Sequence, residues 1–150
     1  MAVVLADLLN ERHVVLELTT HTRDEALREI VMTMQLDAPE AFLREVIARE
    51  SEQSTIMEQG VALPHARTDL LQRIVLGIGR SVTGVDWSEG ATAQLIFVIG
   101  VPQRMVSDYL VCVGAVARLT RDAHIRDSLL HAASAAELID LLRKGSLVLE

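Results

Sequence analysis

The run QLIFVIGV at 94–101 is apolar almost throughout. A strand with no polar face needs cover on both sides, so this segment calls for a sheet held between two layers. Half of the residues are apolar (50%) but only 3% are aromatic. The layers must then be filled by Leu, Val, Ile, Ala and Met, as they are where helices pack on a sheet. A chain of 150 residues is long enough to bury one such core.

The rest of the pattern supplies the partners of that strand. RIVLGIGRSV at 73–82 reads as a second strand, HVVLEL at 13–18 has the β-branched content of a third, and SVTGVDW reads as a turn into a short extended piece. TRDE at 22–25 is a capping box, with Thr22 as N-cap and Glu25 three residues on, ahead of Leu27, Ile30, Val31 and Met34 at helical spacing. A second helix opens near DAPE, with Asp37 as N-cap and Pro39 in the first turn. It turns Phe42, Leu43, Val46 and Ile47 inward and ends at Arg49 and Glu50.

From about Ser107 the pattern is helical again. Leu110, Val113, Val116 and Ala117 share one side, and Gly114 is expected to admit a close neighbour. A short helix around HIRDSLLHA and a last one from SAAELIDLLRKG follow, with Ser134 and Glu137 as a capping box and Gly145 as a C-cap. No repeat, low-complexity tract or linker divides the chain. The expected fold class is α/β: a small mixed β-sheet flanked by helices on both faces, one domain over 1–150.

Charge and cysteine content narrow the function. The net charge of −7 comes from 14 basic and 21 acidic side chains, which excludes a general nucleic-acid binder, since phosphate backbones need clustered Lys and Arg. The single cysteine, Cys112, cannot close an intrachain disulfide, and a reducing cytoplasm is the expected location. The start MAVVLADLLNERH turns acidic before any cleavage-like site, and no apolar run approaches the roughly 18–20 residues of a membrane span. Direct membrane insertion is therefore not expected, although a detached piece of a membrane protein fits the same data.

The chemistry concentrates in EQGVALPHART at 58–68. Pro64 fixes its own φ and pushes Leu63 into an extended conformation, so backbone freedom just ahead of His65 is reduced before any tertiary contact forms. Gly60 lets the chain bend or approach another backbone closely. A neutral imidazole held this way presents one ring lone pair as nucleophile, base or ligand. Taken alone, a Pro-His pair also describes a surface-loop histidine after a turn. Just upstream, ARESEQST at 48–55 brings Arg49, Ser54 and Thr55 toward the same loop. A guanidinium and two hydroxyls are good donors to phosphate oxygens.

The combined run of an Arg-Glu pair, a Ser-Thr pair and then GVALPHA closely resembles the type-2 IIA domains of the bacterial phosphoenolpyruvate-dependent sugar phosphotransferase system, the fructose–mannitol class, with its nitrogen-regulatory branch. The likeness continues in the early DEAL helix, the LIFVIGVP strand, the ARLTRD helix and the ending SAAELIDLL. It implies a mixed sheet flanked by helices. It also implies that His65 is a phosphoryl acceptor, supplied by a phosphorylated HPr-like carrier protein and discharging to a IIB domain or a regulatory target. Arg49, Ser54, Thr55 and Tyr109 are the residues expected to support the phosphate. No cofactor and no metal is required, and the spacing of His, Cys and Asp suggests none. Oligomeric state is not legible.

Two departures from the family pattern stand out. Where many members carry glycines before the Pro-His motif, this chain has STIMEQG, and Ile56 and Glu58 are expected to narrow the loop or repel phosphate. At the start of the long late helix the family commonly has a second histidine, and alignment on VARL puts Tyr109 there. A phenol still donates a hydrogen bond but supplies no positive charge. These departures motivate the alternative of a regulatory or sensory domain. Such a domain, appended to an ion or solute transporter, would bind a small anion, nucleotide or protein partner in the same cleft.

Other candidates read as structural. His13, His21, His124 and His131 show no ligand spacing, Cys112 reads as a buried inert thiol, and Met32, Met34, Met57 and Met105 read as core or rim fillers. Trp87 reads as a packing residue rather than a docking surface, and Arg67 as a solubilising side chain near the motif. An independent hydrolase has no Ser or Cys nucleophile in a recognisable motif with His65.

Overall fold

The apolar run lies at the centre of the sheet in the computed structural model, which describes residues 4–149. It extends over Ala91–Pro102 (β5), and every residue from Leu95 to Pro102 is buried. Period-two alternation sends its side chains to opposite faces. Leu95, Phe97, Ile99 and Val101 join one core cluster, while Ile96 and Val98 join the other. The first cluster is closed by Val106–Arg121 (α3), Ala123–His131 (α4) and Ala135–Leu149 (α5), through Cys112, Val116, Leu119, Leu129, Leu138 and Leu142. The second is closed by Arg23–Val31 (α1) and Pro39–Glu52 (α2), through Leu27, Ile30, Phe42, Leu43 and Val46. Each such fully buried Leu, Ile or Phe contributes about 1.5–3 kcal/mol over the exposed state. The mixed α/β sandwich with helices on both faces is as expected.

Strand order decides where the Pro-His motif goes. Val75–Ser88 (β4) pairs antiparallel with β5, and Val14–Val15 (β1) pairs parallel with β4. Val61–Ala62 (β2) and His65–Thr68 (β3) both pair parallel with β5 on its other side. Ala62 lies opposite Ile96 and His65 opposite Ile99, so the register carries straight across the gap between them. These are two halves of one edge strand, interrupted at Leu63–Pro64. Proline has no N–H to give, and an edge is where a sheet tolerates it. Its carbonyl stays in the ladder, accepting from the Ile99 N–H at 3.0 Å.

Several local readings are corrected. The strand expected over 13–18 is only Val14–Val15, although the Leu18 N–H still bonds the Arg80 carbonyl at 2.8 Å. β4 does not turn at SVTGVDW: it runs on through a bulge between Arg80 and Val85, with Gly84 at φ +95°. Ala38, not Asp37, is the N-cap of α2, with Pro39 as its first residue. Thr22 is the N-cap of α1, but its hydroxyl bonds the Glu25 carboxylate rather than a backbone N–H. Leu110 faces outward, 60% exposed, and so does Met32 at 42%.

The two late glycines exchange roles. A Cβ on Gly114 would meet nothing closer than the Arg118 guanidinium at 3.6 Å, so no helix approaches there. Gly145 does not end α5 but lies inside it, and a Cβ there would come within 2.7 Å of Leu119 Cδ2. Half of the expected capping box at the start of α5 forms, and the return bond shifts by one residue. The Glu137 N–H donates to Ser134 Oγ at 3.0 Å, and the Glu137 carboxylate accepts from the Ala133 N–H at 2.6 Å.

Candidate active site

The interruption of the edge strand creates the site. Along this strand Gly60 and Pro64 direct their carbonyls to β5, so Leu63, between them in the alternation, directs its backbone groups away from the sheet. Both are taken. The Leu63 N–H donates to Thr55 Oγ1 at 2.9 Å, and the Leu63 carbonyl is 2.9 Å from Nδ1 of His65. A carbonyl only accepts, so Nδ1 carries a proton, and in the neutral ring Nε2 keeps the lone pair. The Tyr109 hydroxyl, in the first turn of α3, donates to that Nε2 at 3.1 Å. The two rings lie 5.2 Å apart, tilted by 46°.

His65 is half-buried and faces a cleft of about 540 Å³. One wall is α2, presenting Glu45, Arg49 and Glu52; the floor is β3, with His65 and Arg67; Gln103 and Tyr109 close the other side. Arg49 and Arg67 are exposed, and neither guanidinium has a hydrogen-bond or ion-pair partner among the described residues. Glu45 accepts the Thr68 hydroxyl at 2.8 Å. An imidazole nitrogen thus stands at the edge of an open cleft, beside two cations with donors to spare. That arrangement suits a tetrahedral anion whose oxygens need charge-assisted hydrogen bonds.

The structure gathers His65, Arg49 and Tyr109 around the cleft but not Ser54 and Thr55. Those two hydroxyls turn to Glu50, which is 1% exposed. Its carboxylate accepts from the Thr55 N–H at 2.8 Å, the Thr55 hydroxyl at 3.0 Å, Trp87 Nε1 at 2.8 Å and the Ser54 hydroxyl at 3.4 Å. A buried carboxylate without a cation is tolerated when several donors converge on it. Ile56 and Glu58 do not narrow the cleft: Ile56 packs against the α1–α2 core, and Glu58 is exposed on the turn before Gly60. Gly60, at φ +81°, supports that turn, where side chains other than glycine are strained.

Sequence reading missed Glu50 and underrated Arg67. Arg49 and Glu50 are neighbours in sequence, but successive helical residues point about 100° apart. One therefore reaches the cleft while the other turns into the interior, and adjacency did not say which. Trp87 packs as expected, only 5% exposed, and its indole N–H is part of the Glu50 cluster. Cys112 is buried, and burial, reinforced by the Asp108 and Asp7 carboxylates, pushes its thiol up to about 11, so it is no nucleophile. His13 pairs with Gln35 and His131 with Asp127, away from the cleft. Among the described residues, no group of three or more His, Cys, Asp or Glu is placed to hold a metal ion. No helix there is long and apolar enough to cross a membrane.

Residues 7–145 match the profile of a family described as "Phosphoenolpyruvate-dependent sugar phosphotransferase system, EIIA 2". A fructose-specific EIIABC component from Bacillus subtilis is 27% identical over 146 residues, covering 93% of this chain but only 23% of the relative's own length. A fructose-specific EIIA component from Haloferax volcanii is 31% identical over 110 residues, 72% of this chain and 71% of the relative. The crystal structure of nitrogen regulatory protein IIA-Ntr from Neisseria meningitidis superimposes with a TM-score of 0.79 at 25% identity, covering 91% of this chain and 97% of that one. With GVALPHA on the sheet edge, the expected fold around it and a match along nearly its whole length, the chain belongs to the EIIA type-2 family of the phosphoenolpyruvate-dependent sugar phosphotransferase system.

Proposed function

We propose that the protein is a phosphohistidine carrier in which Nε2 of His65 accepts a phosphoryl group. The donor is the phosphohistidine of an HPr-like carrier protein, and the recipient is a IIB domain or a regulatory target. The carrying observation is the state of the imidazole. Its Nδ1–H is held by the Leu63 carbonyl while Nε2 faces the cleft that holds Arg49 and Arg67. In-line transfer asks little of the protein beyond positioning and donors for the equatorial oxygens. Arg49 and Arg67 supply the charge-assisted donors, and Tyr109 supplies a hydroxyl once it leaves Nε2. Thr55 acts on the loop, not on the phosphate. Such chemistry needs no metal, and the reading places the chain in the cytoplasm with its donor.

A regulatory role in place of onward sugar transfer is favoured by one observation, the Tyr109 hydroxyl on the nucleophilic nitrogen. In that reading the cleft binds an anion or a protein partner, and the domain belongs to a transporter or enzyme it controls. One experiment separates the two. The protein is incubated with phosphoenolpyruvate and the purified general phosphotransferase proteins, then weighed intact by mass spectrometry. The carrier reading expects an acid-labile gain of one phosphoryl group that is absent in His65→Ala. No gain, with a competent IIA domain labelled in parallel, leaves the regulatory reading. A gain that survives His65→Ala removes His65 from the mechanism.

A further inference from the structure

The cluster around Glu50 lies outside the cleft, yet a continuous set of bonds joins it to the imidazole. The Glu50 carboxylate accepts the Thr55 O–H at 3.0 Å, which leaves the Thr55 oxygen lone pairs to accept the Leu63 N–H at 2.9 Å. Leu63 is thereby pinned on its amide side by Thr55 and on its carbonyl side by Pro64. Its carbonyl, turned out of the sheet, meets Nδ1 of His65 at 2.9 Å. Glu50 is held from its other side by the Trp87 indole N–H and the Thr55 N–H, both at 2.8 Å.

We infer that Glu50 and Thr55 are positioning residues that keep the proton of His65 on Nδ1 and so select Nε2 as the atom that is phosphorylated. The order of the bonds requires the carboxylate. Every group facing Glu50 is a donor, and only an acceptor-only side chain orders the Thr55 hydroxyl so that its own lone pairs face Leu63. An amide at position 50 would bring two further donors against the same groups. If the Leu63 carbonyl turned away, the ring would keep only the Tyr109 hydroxyl on Nε2, and a phenol that can donate or accept does not by itself fix which nitrogen carries the proton.

The inference rests on His65 as acceptor only for its consequence. In the transfer step the Nε2 lone pair forms the new N–P bond and the N–P bond of the donor phosphohistidine breaks. The donor imidazole recovers that electron pair, and the Nδ1 proton of His65 does not move. A neutral ring protonated on Nε2 would offer Nδ1 instead, and Nδ1 faces Leu63 rather than the cleft.

The test is independent of any carrier protein. Long-range proton–nitrogen correlation spectra of the full chain, at a pH where the ring is neutral, report which nitrogen of His65 is protonated. The wild type is expected to show Nδ1–H; an Nε2–H wild type overturns the inference at once, whatever the variants do. Thr55→Val is expected to move the tautomer ratio toward Nε2–H by about tenfold, the size of one lost hydrogen bond. Thr55→Ser is expected to restore it, and Glu50→Gln to shift it the same way as Thr55→Val.

Treatment with phosphoramidate, a small phosphoryl donor, is expected to give a product on Nε2 in the wild type and a mixture of both isomers in Thr55→Val, where Leu63, no longer pinned by the Thr55 hydroxyl, uncovers Nδ1. An unchanged tautomer and isomer ratio in folded Thr55→Val overturns the inference, since a merely structural bond would alter stability alone. Failure of the wild type to accept phosphate from carrier proteins would sink the carrier reading and leave these spectra unaffected.

Discussion

The hydroxyl of Tyr109 donates to Nε2 of His65 at 3.1 Å, so the nitrogen proposed to attack phosphorus is already engaged by a neutral partner. The resemblance to the family implies a second histidine at this position. A phenol offers the same hydrogen bond without a positive charge, and it has to release Nε2 before a phosphoryl group arrives. Loss of a charge-assisted bond is worth about 1.5–3 kcal/mol, or roughly tenfold to a hundredfold in rate.

Tyr109→His is therefore expected to accelerate phosphoryl acceptance about tenfold over the wild type at pH 6, with a smaller gain at pH 8, because an added imidazole carries charge only near or below about 6.5. Rapid-quench measurement of the phosphoprotein across this range checks it. Parallel pH profiles for the two proteins would remove the charge deficit at position 109 as a cause of slow transfer.

Arg49 stands exposed on α2 with no partner among the described residues, so it does little for the fold. Arg49→Ala is expected to slow phosphoryl acceptance by roughly tenfold to a hundredfold while changing unfolding free energy by less than about 0.5 kcal/mol. Arg49→Lys should recover part of the loss, as a point charge lacks the planar fork of a guanidinium. Transfer kinetics beside urea denaturation decide the matter; a large stability loss would assign Arg49 to the structure rather than the cleft.

Arg80 presents the opposite case. It is 4% exposed, and Nη1 donates to the Leu129 carbonyl at 3.1 Å and the Ala132 carbonyl at 2.7 Å, capping the end of α4. Its Nε has no partner among the described residues. Removing the side chain leaves the buried Ala132 carbonyl without its donor and the Leu129 carbonyl with only the long Ala132 N–H bond of 3.4 Å, so Arg80→Ala is expected to cost about 2–4 kcal/mol in chemical denaturation. Phosphoryl acceptance by the fraction that remains folded should be near that of the wild type. A neutral effect on stability would mean that water reaches those carbonyls.

Burial of Cys112 has a signature in alkali. Its thiol is pushed up to about 11, from an ordinary value near 9.0, chiefly by desolvation and then by Asp108 and Asp7. The native state therefore holds the proton where the unfolded chain has lost it. Its contribution to stability is constant below about pH 9 and declines as pH rises from there to about 11. Thiol reagents should modify Cys112 slowly at pH 8 and rapidly in denaturant. Fast labelling of the native protein would contradict the buried, protonated thiol.

Local chemistry alone made the layered α/β class legible, since an eight-residue apolar strand demands two covered faces and helical spacing supplied the covers. GVALPHA likewise announced His65, because Pro64 restricts the backbone whatever the surroundings. Tertiary structure decided the rest. Whether Gly114 or Gly145 meets a neighbour depends on which helix crosses there, which no periodicity records. Thr55 was legible as a polar neighbour of the motif, but only the edge-strand alternation turns the Leu63 N–H outward to claim its hydroxyl. Arg49 and Glu50 differ by one position, and the packing of α2 sends one to the cleft and the other to a cluster with a tryptophan distant in sequence. Covalent constraints act along the chain and can be read from it, whereas the pairing of a buried charge is fixed by groups that only folding brings together.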